Sequence, residues 1–132
     1  MNEPVWITEE LARAINEHQI GRYGGFQAGV RDDNLFLAAL GRPINKWHYE
    51  NPRPDLFDLA AAYCFAVVKG HVFHDGNKRS GHMIAVAFLE HNGFHSTAPE
   101  TDVVNMMVAV ADGSVGEAGL ARWFRDTCKP IA

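Results

Sequence analysis

Asp55-Leu-Phe-Asp-Leu-Ala-Ala-Ala-Tyr-Cys-Phe-Ala-Val-Val-Lys69 is a run with almost no polar face. Its apolar residues fall at helical spacing on every side, which predicts a helix buried in the middle of a domain. Asp55 stands where a side-chain oxygen can cap the first free N–H groups, and Gly70 ends the run. A second apolar stretch, Asn77 to His91, predicts the packing partner, with Gly93 as its C-terminal stop. Between them lies His71-Val-Phe-His-Asp-Gly76, a short loop tied at both ends to buried helices. A loop held that way can keep side chains in fixed places.

Outward from this pair the pattern stays helical. Thr8, with Glu9 and Glu10 behind it, caps a helix to about Ile20. The run Gly21-Arg22-Tyr23-Gly24-Gly25 reverses the chain, and a loop follows to about Arg31. Phe26–Val30 is read as part of a hairpin. Asp32 or Asp33 caps a short helix that ends at Gly41 and Pro43, and residues 44–54 are read as irregular. Phe94-His-Ser-Thr97 is a candidate short strand. Thr101 caps a helix to about Ala111. Ser114 and Glu117 have the spacing of a capping box for a last helix to about Thr127. The expectation is an all-α fold of about six or seven helices in a single compact domain over 1–132, with at most a short hairpin.

Composition narrows the function. The 132 residues carry 12 Lys and Arg against 16 Asp and Glu, a formal charge of −4. A general nucleic-acid binder shows a basic stripe, and a surface membrane anchor shows a basic amphipathic face; neither is present. The longest apolar stretch, Leu59–Val68, is about ten residues, whereas a bilayer needs roughly 20. Cys64 and Cys128 have neither redox nor zinc spacing and read as reduced thiols. The N-terminus lacks the blocks of a signal peptide. A soluble, cytoplasmic protein is expected, with no direct contact to nucleic acid or membrane.

The chemistry concentrates in His71-Val-Phe-His-Asp-Gly-Asn-Lys-Arg79. Gly76 allows a positive φ. Asn77, Lys78 and Arg79 open a helix, where free N–H groups and the dipole attract anions. Lys78 adds a point charge, Arg79 a planar fork, and Asn77 an amide donor. Asp75 is a carboxylate suited to Mg²⁺ shared with phosphate oxygens. Histidine is the side-chain type that titrates near neutrality, so His71 can take a hydroxyl proton. Base, metal carboxylate and phosphate cradle together describe a phosphoryl- or nucleotidyl-transfer site. A helix start with an ordinary cationic face is the other reading of the same residues.

The segment resembles the HxFx(D/N)xNKR signature of the death-on-curing (Doc) branch of the Fic fold. Arg22-Tyr-Gly-Gly25, Gly29-Val-Arg-Asp32, Gly41-Arg-Pro43, Asp55-Leu-Phe57 and Phe88-Leu-Glu-His-Asn-Gly93 are similar to landmarks of that family, in its order. The resemblance implies an ATP–Mg²⁺ site in which His71 is the base and Asp75 supports the metal. It also implies that Gly76, Asn77, Lys78 and Arg79 hold the phosphates, with Lys78 serving catalysis. The wider Fic motif has glycine where Lys78 stands and a second arginine where His82 stands. Both departures match the Doc branch. They favour that branch's reaction, transfer of the ATP γ-phosphate to a threonine of elongation factor Tu, over transfer of AMP. The resemblance further implies a toxin–antitoxin pair, the antitoxin's C-terminal segment folding onto the toxin; an apolar groove formed by the N-terminal helices is a reasonable dock for it. A binding module that has lost the chemistry is a third reading.

His74 and His82 are extra imidazoles near His71 and are read as solvent-facing. A metallohydrolase site of His71, His74, Asp75 and His82 is the sharper reading of the same residues. Arg31 can reach the phosphates or pair with Asp32 or Asp33, and the structural pairing is the default expectation. Arg53 has no assigned role, and Trp6, Trp47 and Trp123 are read as packing residues.

Overall fold

The computed structural model describes residues 2–132. Six helices are present among them: α1 (Glu9–Tyr23), α2 (Asp33–Tyr49), α3 (Leu56–Gly70), α4 (Asn77–His91), α5 (Glu100–Asp112) and α6 (Glu117–Thr127). Two three-residue strands, β1 (Phe94–Ser96) and β2 (Cys128–Pro130), pair antiparallel with Phe94 opposite Pro130. No helix among the described residues is long and apolar enough to cross a membrane. Both cysteines are free and buried.

α3 is the centre, and α2, α4, α5 and α6 pack around it. Eight of its residues, from Leu59 to Val68, are buried, as the absence of a polar face requires. Asp55 caps it, and Asp58 completes a reciprocal box, each side chain accepting from the other's backbone N–H. Arg125 of α6 bonds to the same Asp55 at 2.8 Å, so the cap also fixes the last helix. α4 lies close against α3 at Gly81. A Cβ there would sit 2.9 Å from Val68 Cγ2 and 3.2 Å from the Cys64 carbonyl. The fully buried Tyr63 accepts a hydrogen bond from the Ile7 N–H at 3.1 Å. Burial pushes its phenol up to about 12.

Four expectations need correction. α2 does not stop at Pro43 but runs to Tyr49, with the proline inside it. Phe36, Ala39, Leu40, Pro43 and Trp47 form one continuous buried stripe against α3. That burial outweighs the lost backbone bond, which costs about 3 kcal/mol in an exposed helix. Phe26–Val30 forms no hairpin; Val30 makes one isolated bridge to Phe73. The partner of β1 is instead the C-terminal strand, 32 or more residues away in sequence. Pro99, not Thr101, precedes the first turn of α5. Ser114 bonds back to Asp112 rather than capping α6, whose N-cap is Gly116.

α1 packs on α4 through an inner face that is partly polar: Ala12, Asn16 and Gln19 are its buried residues. Its end leads into the chain reversal at Gly24 (φ 86), so α1 delivers residues 24–30 across the α3–α4 loop.

Candidate active site

The site is built where α3 ends and α4 begins. α3 closes on His71, which takes the left-handed conformation, φ 47 and ψ 53. Gly76, φ 72, turns the chain into α4. No side chain caps α4, so the N–H groups of its first turn are left to an anion. Lys78, exposed, forms no ion pair among the described residues.

The loop between is held by its own backbone. The Asn77 side chain accepts from the Phe73 N–H at 2.9 Å and donates to the Phe73 carbonyl at 3.0 Å. Asn77 is thus a clamp: one of its two amide donors is committed to the loop, and one remains for a ligand. Phe73 itself is buried and packs edge-on against Phe36. Segment 29–31 runs alongside, with His74 N–H donating to Gly29 O and Arg31 N–H to Val72 O.

Asn16 is the organising residue that sequence reasoning missed. It is fully buried. Its amide nitrogen donates to the Asp75 carbonyl and to Ser80 Oγ, both at 3.0 Å, while its oxygen accepts from Gly29 N–H at 2.8 Å. One side chain therefore ties α1, segment 24–30, the loop and α4 together. The signal was available: Ala12, Asn16 and Gln19 share one face at i, i+4 and i+7, the spacing of a buried stripe.

Asp75 accepts from Phe26 N–H at 2.9 Å through one oxygen and from Gly76 N–H at 2.8 Å through the other. These two bonds, Phe26 first, hold its carboxyl below the usual range, helped by the charges of Arg79 and Lys78. It is an ionised carboxylate with one lone pair still open on each oxygen. Arg79 donates to the Gly24 carbonyl at 2.8 Å and lies over the Tyr23 ring at 5.7 Å. Both Asp75 and Arg79 therefore hold segment 24–26 in place.

All the residues singled out from the motif line one cavity of about 800 Å³. His71, Asp75, Gly76, Asn77, Lys78 and Arg79 form its polar end. Val68, Met83, Val104, Met107 and Val108 form an apolar wall, most of it from α5. His82 lines the cavity too, but it is not solvent-facing. Its ring stacks on Phe124 (centroids 6.3 Å, 15°), and Nε2 is sealed off without a partner. Burial pulls its pKa down to about 4. No group of three His, Cys, Asp or Glu side chains among the described residues is placed to hold a metal, so the four-residue metallohydrolase site is not assembled. A single ionised carboxylate beside an uncapped helix N-terminus, Lys78 and Arg79 suits Mg²⁺ shared with phosphate oxygens, the ion completing its shell with water. Asp75 would hold it.

The model of the Fic/DOC family matches residues 6–89, the span from the N-terminal segment into the last turn of α4. The chain belongs to the Fic/DOC family. It is 32% identical over 119 residues to the protein kinase doc of Escherichia phage P1, covering 90% of this chain and 92% of that one. It is 37% identical over 76 residues to toxin Doc of Mycolicibacterium smegmatis, covering 58% of each. The matched span contains His71–Arg79, the segment that this structure wraps around the polar end of the cavity. Within it, the His71 and His74 imidazoles, Lys78 and the first-turn N–H groups of α4 remain uncommitted to the fold.

Arg31 meets neither Asp32 nor Asp33. Asp32 caps α2, accepting from Leu35 N–H, and Asp33 faces Arg13 at 3.6 Å. Arg31 reaches back to the end of α3 instead. Arg53 stacks over Trp47 at 4.1 Å.

Proposed function

We propose that this protein is a toxin that transfers the γ-phosphate of ATP to a protein threonine hydroxyl, by resemblance that of elongation factor Tu, and so arrests translation. The observation that carries the proposal is the cavity itself. It brings a histidine, an ionised carboxylate, a free lysine and an uncapped helix N-terminus to one end of an apolar groove. The relative named protein kinase doc supports phosphate over AMP as the group transferred.

In this reading the nucleotide's phosphates lie on the α4 N–H groups, Lys78 and Arg79, with Mg²⁺ on Asp75. His71 takes the proton from the threonine hydroxyl. The hydroxyl oxygen bonds to the γ-phosphorus, and the bond to the β–γ bridging oxygen breaks, releasing ADP. Lys78 neutralises charge on the phosphoryl oxygens during transfer, which is the main task of the protein in such reactions. The apolar wall of α5 offers a seat for the purine.

The name toxin Doc carried by the second relative supports a cognate antitoxin. Its C-terminal segment would dock on the N-terminal helices, where Leu35 and Leu37 of α2 are exposed.

Intact-mass spectrometry of elongation factor Tu incubated with this protein, ATP and Mg²⁺ tests the proposal. A gain of about 80 Da identifies phosphate transfer, and about 329 Da identifies AMP transfer. His71→Ala is expected to fold normally and to abolish the gain. A His71→Ala protein with full activity overturns the mechanism.

A further inference from the structure

His71 is the one non-glycine residue with a positive φ among the described residues. The left-handed conformation costs an ordinary residue about 1–2 kcal/mol. It persists where neighbouring structure fixes it. α3 ends here without the glycine that commonly takes this position.

Arg31 supplies the fixing contacts. Its Nε donates to the His71 carbonyl at 2.7 Å, and its Nη2 donates to the Gly70 carbonyl at 3.3 Å. Its own backbone N–H donates to the Val72 carbonyl at 2.9 Å. One residue therefore holds three successive carbonyls. The Gly70 carbonyl belongs to the peptide unit before the His71 Cα, and the His71 carbonyl to the unit after it. The orientations of those two units are φ and ψ of His71. They set the direction of its Cα–Cβ bond and hence where the imidazole can reach. The guanidinium has no acidic partner competing for it, since Asp32 and Asp33 are engaged elsewhere. Its charge also faces the negative end of α3, where a cation is favoured.

We infer that Arg31 is a positioning residue for His71: its fork holds the peptide units on both sides of the base and aims the imidazole into the cavity. The inference rests on the reading of His71 as the base. Arg31 lies outside the segment His71–Arg79 and touches no reacting group.

The test uses the whole chain with Arg31→Met, which keeps the apolar stem and removes the fork, and Arg31→Lys, which keeps a cation. Transfer kinetics for Arg31→Met are expected to show kcat lower by roughly 10–100-fold, the range a misplaced catalytic group produces. KM for ATP should stay within about twofold, because the phosphate groups are untouched. Arg31→Lys should fall between the two. Millimolar guanidinium should restore part of the activity of Arg31→Ala and none of that of His71→Ala. Ring NMR signals of His71, recorded without nucleotide, should shift and broaden in Arg31→Met while those of His95, on β1, stay in place. This last readout needs no activity, so it decides the inference even where the wild-type protein transfers no phosphate and the functional reading fails. Unchanged kcat with unmoved His71 signals overturns the inference. So does a variant whose kcat, KM and melting point fall together, or one that does not fold, since Arg31 would then be only a helix cap.

Discussion

Replacing His82 by leucine should make the protein markedly less sensitive to mild acid. The His82 ring lies against Trp123 and Phe124 at centroid distances of 6.1 and 6.3 Å, with Nε2 sealed off without a partner. Desolvation lowers its pKa from 6.5 to about 4. The unfolded chain therefore binds a proton that the folded chain refuses. Stability from this source is complete above about pH 6.5 and is lost as pH falls toward 4. At pH 5 the two pKa values imply a loss of about 2 kcal/mol, with a ceiling of about 3 kcal/mol once both states are protonated. For a chain of this size, 2 kcal/mol corresponds to a melting point lower by roughly 6–10 °C. Urea unfolding at pH 7 and pH 5 measures it directly. Wild type should lose about 2 kcal/mol more than His82→Leu between the two pH values. Taking the difference between the proteins cancels every other titrating group. Parallel losses refute the reasoning and mean that His82 becomes charged within the fold, either reaching water or gaining a partner.

Asn77→Ala should cost stability as well as activity. It leaves the N–H and C=O of Phe73 unpaired in a half-buried loop, a loss of about 2 kcal/mol or more in urea unfolding; a change under about 0.5 kcal/mol would mean that the amide is free to serve the ligand instead. Gly25→Ala should act on the site through Asp75. The new Cβ would lie 2.7 Å from Asp75 Oδ2 and 2.6 Å from Ile20 Cδ1, at a backbone φ of 155. Displacing that carboxylate breaks its bond to Phe26 N–H, so transfer should fall more than tenfold while stability drops by about 1–3 kcal/mol. An unchanged rate would show that the position of Asp75 is immaterial to the reaction.

The α3–α4 pair was legible because burial on every side leaves no ambiguity of period, and both helices carry their stop signals in sequence. The collection of His71, Asp75, Lys78 and Arg79 at one cavity followed from it, since nine consecutive residues between two packed helices cannot be far apart. What failed was whatever depended on partners distant in the chain. Pro43 reads locally as a stop, yet a stripe from Phe36 to Trp47 against α3 carries the helix through it. Ser114 and Glu117 have capping-box spacing, but Asp112 takes the Ser114 hydroxyl first. Phe94–Ser96 reads as a strand without naming its partner, and the partner is at the other end of the chain. The reading of His82 as solvent-facing fails for the same reason. The residues that bury it come from α6, some forty positions on.

The site residues divide by whether the fold already uses them. Asn77 and the backbone of Phe73 satisfy each other, and Asn16 takes the Asp75 carbonyl. These contacts make the loop a rigid frame that can form without a ligand. Asp75 and Arg79 stand between the two classes, because each holds segment 24–26 and each also faces the cavity. A phosphate is a stronger acceptor for a guanidinium than a neutral carbonyl. A ligand that draws on Arg79 therefore competes with Gly24, and one that draws on Asp75 competes with Phe26 N–H. Segment 29–31 is exposed to no such competition. It is held by Asn16, by the His74 and Arg31 backbone, and by the fork of Arg31 on α3. The fold thus separates a part of the rim that a ligand can loosen from a part, next to His71, that it cannot.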